Sequence, residues 1–111
     1  MCSSDLTTSS GCIEIVPGTH DGGLASPEGG TVQPADLEAL QAEQRALQLP
    51  ARAGEAIVLH NHLWHRSGVN SSQGPRRAVG ISYLDGATRC RRTRRTPRKF
   101  PRVFDGAVTQ Q

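Results

Sequence analysis

Alternation of hydrophobic and polar residues predicts several short β-strands in this chain. Successive side chains of a strand point to opposite faces, so a half-buried strand shows a period of two residues. Turn-forming residues, such as Gly54-Glu55, separate the stretches that have this pattern. The predicted strands are Gly11–Val16, Leu49–Ala53, Glu55–Asn61 and Arg77–Leu84.

A helical period occurs near the middle of the chain. Leu37, Leu40 and Leu47 recur at helical spacing among Glu, Gln and Ala residues, which predicts one helix at about 35–47. Strands do not alternate regularly with helices, so a parallel sheet built from βαβ units is not expected. The predicted fold class is therefore mainly β with one helix.

The composition limits the size and class of the protein. A chain of 111 residues has room for one domain, and its 22 Leu, Ile, Val and Phe residues can form only a small core. No segment approaches the ~18 apolar residues that a membrane-spanning helix needs, and no apolar leader opens the sequence. Three widely spaced cysteines argue against a disulfide framework. We therefore expect a cytoplasmic protein without a membrane partner.

Charge is divided unequally along the chain. Residues 1–44 carry seven acidic residues and no Lys or Arg, whereas residues 45–111 carry all 13 basic residues and three acidic ones. Eight of these basic residues lie in Arg89–Arg102. Such a segment attracts nucleic acid weakly and salt-dependently, so a basic-tailed nucleic-acid-binding protein is one alternative function. The segment matches no nucleic-acid-binding signature, and we interpret it as a solvated surface without a nucleic acid partner.

Three of the four histidines lie within six residues, at positions 60, 62 and 65. Imidazole nitrogen is a ligand for iron and zinc, and His60 and His62 would share one face of a strand. A small cupin-like metal-binding protein that uses His60, His62 and His65 is therefore a second alternative. The opposing interpretation is that these residues are polar side chains at the rim of a sheet.

Two segments of the chain resemble the phytanoyl-CoA dioxygenase family. Residues 53–70 (AGEAIVLHNHLWHRSGVN) and 75–78 (PRRA) are similar to the family pattern of a Gly turn, an apolar run and His-x-Ser-x-x-Asn-x-Ser-x-x-x-Arg. Residues 11–20 (GCIEIVPGTH) are similar to the family's upstream Gly-Cys and Pro-Gly-Ser-His segment. The two segments occur in the family's order and together span about 11–84.

The resemblance implies a double-stranded β-helix, or jelly roll, that uses Fe(II), 2-oxoglutarate and O₂ to hydroxylate a small organic substrate. By position, it implies that His65 is an iron ligand. It also implies that Ser67 and Arg76 bind the far carboxylate of 2-oxoglutarate. A guanidinium fits a carboxylate with two parallel hydrogen bonds, and a serine hydroxyl can add a third donor. No residue of the chain is assigned a further catalytic role.

One feature of the family pattern is missing from the sequence. The family's other iron ligands form a His-x-Asp pair upstream of the Pro-Gly-Ser-His segment, and this chain contains no His-x-Asp or His-x-Glu. We therefore expect the chain to be the C-terminal part of a dioxygenase and to be inactive by itself. The expected parts are residues 1–10, unstructured or artefactual, residues 11–86, the jelly-roll portion, and residues 87–111, a basic tail.

Overall fold

The computed structural model describes Cys2 and residues 4–26, 30–90 and 96–101. The chain divides into two units, Met1–Gly80 and Ile81–Gln111. Within the described residues, all helices and strands belong to the first unit. They are three strands, β1 (Ile13–Ile15), β2 (Leu47–Leu49) and β3 (His65–Ser67), two α-helices, α1 (Pro34–Ala39) and α2 (Ala42–Arg45), and a 3-10 helix, Thr19–Gly22.

The three strands form one antiparallel sheet in the order β2-β1-β3. β1 lies in the centre, where Glu14 faces Gln48 on one side and Arg66 on the other. The sheet confirms the prediction of a mainly β architecture at the level of this unit. It does not by itself form a jelly roll, which needs more strands than the described residues supply.

The two faces of the sheet differ in chemistry because side chains alternate along each strand. One face carries the polar row of Glu14, Gln48 and Arg66. The other face carries four aliphatic residues and the two candidate site residues of β3, which are Ile13, Ile15, Leu47, Leu49, His65 and Ser67. Leu47 is 54% exposed, so this apolar face is only partly covered by the described residues.

The predicted helix at 35–47 is wrong as a continuous element. Gln41 adopts a left-handed conformation with φ 49°, which separates α1 from α2, and Leu47 belongs to β2. No residue of α1 is buried. Short helices depend on burial of an apolar face for stability, and here the leucine pattern has no core to pack against.

Two predicted strands are also absent from the structure. Residues 55–61 and 77–84 form no strand, and the latter range contributes only an isolated bridge between Ala78 and Cys2. Val58 is 94% exposed and Tyr83 is 79% exposed. A strand needs a hydrogen-bonded neighbour and a buried face, and alternation of polarity alone does not supply either one.

The core of the first unit lies beside the sheet and includes the N-terminal residues. Cys2, Leu6, Cys12 and Ala51 are buried together, with Ile57 packed against them. Leu6 exchanges backbone hydrogen bonds of 2.7 and 2.9 Å with Ala51. Leu6, which belongs to the segment 1–10 that we expected to be unstructured or artefactual, is 1% exposed and packs in this core. Leu6 packs in the core because it covers apolar surface of Ala51 and Ile57 that would otherwise contact water.

Five of the eight basic residues of the segment Arg89–Arg102 lie outside the described residues, since the structure does not describe residues 91–95 and 102. The described residues 96–101 are exposed.

Leu6→Ala is expected to lower the free energy of unfolding by about 2–5 kcal/mol, because it leaves a cavity in the small core. The measurement is urea denaturation followed by the fluorescence of Trp64, the chain's one tryptophan. Leu24→Ala is the matched control, since Leu24 is 56% exposed and its truncation should change stability by less than about 0.5 kcal/mol. Equal effects of the two substitutions would show that the N-terminal segment does not pack as described.

Candidate functional site

The pairing of β1 with β3 brings together the two sequence segments that carry the family resemblance. Gly11, at the start of the first segment, has φ +79° and lies against Gly68. A Cβ atom at position 11 would lie 2.4 Å from the Gly68 carbonyl oxygen, so this approach requires glycine. His65 faces Ile15 and Ser67 faces Ile13 across the sheet. His65 and Ser67 therefore share one face.

The imidazole of His65 is held by one of its two nitrogens. Nδ1 lies 2.7 Å from the carbonyl oxygen of Leu63. Because a carbonyl only accepts hydrogen bonds, this contact requires a proton on Nδ1, which in the neutral ring leaves the lone pair on Nε2. Within the described residues Nε2 has no hydrogen-bond partner. Metal-binding histidines commonly donate the N–H of the ring nitrogen that does not bind the metal to a carbonyl oxygen. His65 has this hydrogen-bond arrangement.

A side-chain-stabilised turn connects Ser67 to Arg76. The Asn70 side chain accepts hydrogen bonds from the Ser72 backbone N–H at 3.0 Å and hydroxyl at 2.6 Å, and donates to the Gly74 carbonyl at 2.9 Å. This is an Asx-turn, in which an asparagine side chain replaces a backbone partner. Asn70 and Ser72, which match the Asn and the second Ser of the family pattern, thus form the turn here.

Arg76 and Arg77 differ in their surroundings. Arg76 is half-buried, and its guanidinium has no hydrogen bond or ion pair among the described residues. Arg77 is exposed, and its backbone N–H donates to the Ser4 hydroxyl at 2.8 Å. The hydroxyl of Ser67 is likewise without a hydrogen-bond partner within the described part of the chain. Of these groups, Ser67 and Arg76 have donors available for an anion.

The other histidines form a separate cluster around His60. Its ring centroid lies 5.4 Å from that of His20 and 5.2 Å from that of His62. Across residues 2, 4–26, 30–90 and 96–101, no three His, Cys, Asp or Glu side chains form a group that could hold a metal ion. The alternative of a metal site made from His60, His62 and His65 therefore finds no supporting geometry.

An ion-pair network on the polar face of the sheet was not predicted from the sequence. Arg66 Nε lies 2.6 Å from Glu14 Oε2, while its two terminal nitrogens lie 2.6 and 2.8 Å from the carboxylate oxygens of Glu43. The hydrogen bonds from Arg66 and its positive charge lower the pKa of Glu43. The hydrogen bonds that Arg66 donates to Glu43 and Glu14 raise the pKa of Arg66. The network connects β3 to β1 and to α2. Its residues are far apart in sequence, so only the strand register reveals it.

A cavity of about 470 Å³ lies beside this network. Its lining is largely apolar, with Val16, Val32, Leu37 and Trp64, and its charged lining residues include Glu43 and Arg66. Both carboxylates of the network bind the same guanidinium of Arg66, so one positive charge is shared between two negative charges beside the cavity.

Comparison with known proteins shows the class of protein to which these features belong. The family model described as "Phytanoyl-CoA dioxygenase (PhyH)" matches residues 1–78. The chain is 30% identical over 86 residues to a Caenorhabditis elegans protein named "Probable phytanoyl-CoA dioxygenase", covering 72% of this chain and 28% of that protein. It is also 30% identical over 86 residues to the Bos taurus protein named "Phytanoyl-CoA dioxygenase, peroxisomal", covering 72% of this chain and 26% of that protein. No solved structure matches significantly.

The chain belongs to the phytanoyl-CoA dioxygenase family, as the sequence resemblance predicted. It spans about a quarter of the length of the curated relatives it matches. None of the helices in the described residues is long and apolar enough to cross a membrane. The name of the bovine relative places that protein in the peroxisome, and a cytoplasmic location for this chain stays a prediction.

Glu43→Gln is expected to lower the urea midpoint of the chain slightly at pH 7, because exposed ion pairs contribute little. The pKa of Glu43 is depressed below its ordinary value of 4.5 in the folded state. The interaction of Glu43 with Arg66 therefore contributes fully to the free energy of unfolding above that pH. It is lost as the pH falls through the folded pKa. The difference in urea midpoint between the unsubstituted chain and Glu43→Gln should therefore shrink between pH 7 and pH ~3.

Glu38→Gln on α1 is the control, because Glu38 is exposed and forms no ion pair with any described residue. High salt should reduce the effect of Glu43→Gln, since mobile ions screen exposed charges. A difference in midpoint that stays constant from pH 7 to ~3 would contradict the network.

Proposed function

We propose that this chain is the C-terminal part of an iron(II)- and 2-oxoglutarate-dependent dioxygenase that hydroxylates a small organic substrate. The observation that carries the proposal is the state of His65. Its Nδ1 is anchored to a carbonyl and its Nε2 is free, within a strand that the family resemblance assigns to the iron site. Membership of the dioxygenase family supports the same assignment.

The residues present fit one part of an iron site and not the whole of it. His65 supplies one nitrogen ligand, and the described residues contain no group that could complete the coordination. The remaining ligands are expected in the part of the family sequence that this chain does not span. When bound, iron together with 2-oxoglutarate and O₂ would supply the oxidising power, and the chain would supply orientation and binding groups.

Ser67 and Arg76 are proposed to hold the far carboxylate of 2-oxoglutarate. Both have side-chain donors without partners among the described residues, and Ser67 lies on the same face of β3 as His65. An arginine fork can give a carboxylate two parallel charge-assisted hydrogen bonds. Ile13 and Ile15 line the same face and would keep water away from the bound co-substrate.

The isolated chain is expected to bind Fe(II) only weakly, because one histidine cannot replace a complete ligand set. The measurement is anaerobic titration calorimetry of the 111-residue chain beside His65→Ala and His62→Ala. Micromolar or tighter binding that His65→Ala alone abolishes would show that this chain supplies further iron ligands. Tight binding that His62→Ala abolishes would instead favour the histidine-cluster alternative.

In the longer enzyme, Arg76→Lys is expected to weaken 2-oxoglutarate binding about thirty-fold to a thousand-fold, since loss of the charge-assisted fork costs about 2–4 kcal/mol. Lysine keeps the charge and loses the two parallel hydrogen bonds. The measurement is the 2-oxoglutarate concentration dependence of succinate formation. Iron binding should change little.

Arg77→Lys is the matched control for this measurement, because Arg77 is the exposed neighbour of the half-buried Arg76. If Arg77→Lys raises the half-saturating concentration and Arg76→Lys does not, the assignment of Arg76 is wrong. If neither substitution does so, 2-oxoglutarate is not bound in the proposed way.

A further inference from the structure

A buried hydroxyl interrupts the pairing of β1 with β3 immediately before His65. Beyond the facing pair of Ile15 and His65, the next positions along the two antiparallel strands are Val16 and Trp64. The Val16 N–H donates to the Trp64 carbonyl at 2.9 Å. Residues facing each other in such a pair often exchange two backbone hydrogen bonds. Here the second one is relayed through Thr19: the Trp64 N–H donates to the Thr19 hydroxyl at 2.9 Å. That hydroxyl in turn donates to the Val16 carbonyl at 2.8 Å.

The position of Thr19 follows from the turn that precedes it. Gly18 has φ 80°, a left-handed conformation that glycine adopts without strain, and it starts the 3-10 helix Thr19–Gly22. This turn leads the chain back over β1, where Thr19 is 8% exposed and is the one buried polar residue among those described. Because threonine is β-branched, its side chain has few rotamers, which keeps the hydroxyl in place.

A single peptide unit joins Thr19 to the imidazole of His65. The N–H of Trp64 and the C=O of Leu63 belong to the same planar peptide group. The N–H end binds the Thr19 hydroxyl, and the C=O end accepts the hydrogen bond of 2.7 Å from His65 Nδ1. Three hydrogen bonds therefore run in one direction from His65 to the Val16 carbonyl. Connected hydrogen bonds of this kind polarise and strengthen one another.

We propose that Thr19 is a positioning residue for His65, whose hydroxyl fixes the Leu63–Trp64 peptide so that its carbonyl orients the imidazole with Nε2 free. The functional importance of this arrangement rests on the proposed function, in which Nε2 binds iron. Thr19 makes no contact with iron or substrate itself. Its effect passes through the peptide unit to the ring.

The test is the tautomer of His65 in the 111-residue chain, read from long-range proton–nitrogen NMR correlations of the histidine rings. Spectra are recorded above about pH 8, where an ordinary imidazole with a pKa of about 6.5 is neutral. The chain without substitutions is compared with Thr19→Val, which keeps the shape and removes the hydroxyl, and with Thr19→Ser, which keeps the hydroxyl. A His65→Asn variant identifies the His65 signals, and His62 serves as the internal reference.

The expected result is an Nδ1–H tautomer for His65 in the unsubstituted chain and in Thr19→Ser, with loss of that tautomer in folded Thr19→Val. Three results would each overturn the proposal: an Nε2–H tautomer in the unsubstituted chain, an unchanged His65 in Thr19→Val, or the same loss in Thr19→Ser. If Thr19→Val does not fold, Thr19→Ser decides, since retention of the Nδ1–H tautomer supports the proposal and its loss overturns it.

The tautomer measurement is independent of iron and 2-oxoglutarate. If the tautomer depends on the Thr19 hydroxyl while Arg76→Lys leaves 2-oxoglutarate use unchanged, the proposed cofactor site fails and the role of Thr19 in orienting His65 stands. If the tautomer is independent of Thr19 while Arg76→Lys weakens 2-oxoglutarate binding, the proposed function stands and the positioning role fails.

Discussion

Antiparallel pairing of β1 with β3 is the interaction on which the candidate site depends. It joins segments that lie 52 residues apart in sequence, as measured between Glu14 and Arg66. Closing so long a loop costs conformational entropy, which backbone hydrogen bonds alone offset only in part. Side chains on both faces of the sheet therefore contribute to the pairing.

The two faces contribute in different ways. On the polar face, Arg66 forms ion pairs with Glu14 and Glu43, which connect β3 to the central strand and to α2. On the apolar face, Ile13 and Ile15 lie opposite Ser67 and His65. Alternation along β3 thus separates a residue that stabilises the strand, Arg66, from the neighbours proposed to bind iron and 2-oxoglutarate.

The incomplete cover of the apolar face agrees with the length of the chain relative to its family. Leu47 is half exposed on that face, and the chain spans about a quarter of its curated relatives. A sheet with a partly covered apolar face and two edge strands is open to association with other strands. Under the proposed function, the part of the family sequence that this chain does not span would cover this face and supply the other iron ligands.

Much of the candidate site could be predicted from the sequence, because its residues occur in local patterns. The spacing of His65, Ser67 and Arg76 and the resemblance of residues 11–20 were sufficient to predict the family, which the comparisons confirm. The strand at β1 was also predicted, since alternation and a following Pro-Gly turn are local signals. The roles of the three site residues stay predictions.

The tertiary structure alone decided which patterns became elements and which side chains met. Leucine spacing at 35–47 predicted one helix, but Leu40 and Leu47 found no core, and the chain turned at Gln41. The ion pairs of Arg66 and the hydroxyl relay of Thr19 depend on the register between β1 and β3, which no local pattern encodes. The sequence by itself determined the family and its candidate residues, because these follow from residue type and spacing. Long-range pairing decided how His65 is held, because hydrogen-bond partners distant in sequence meet only after folding.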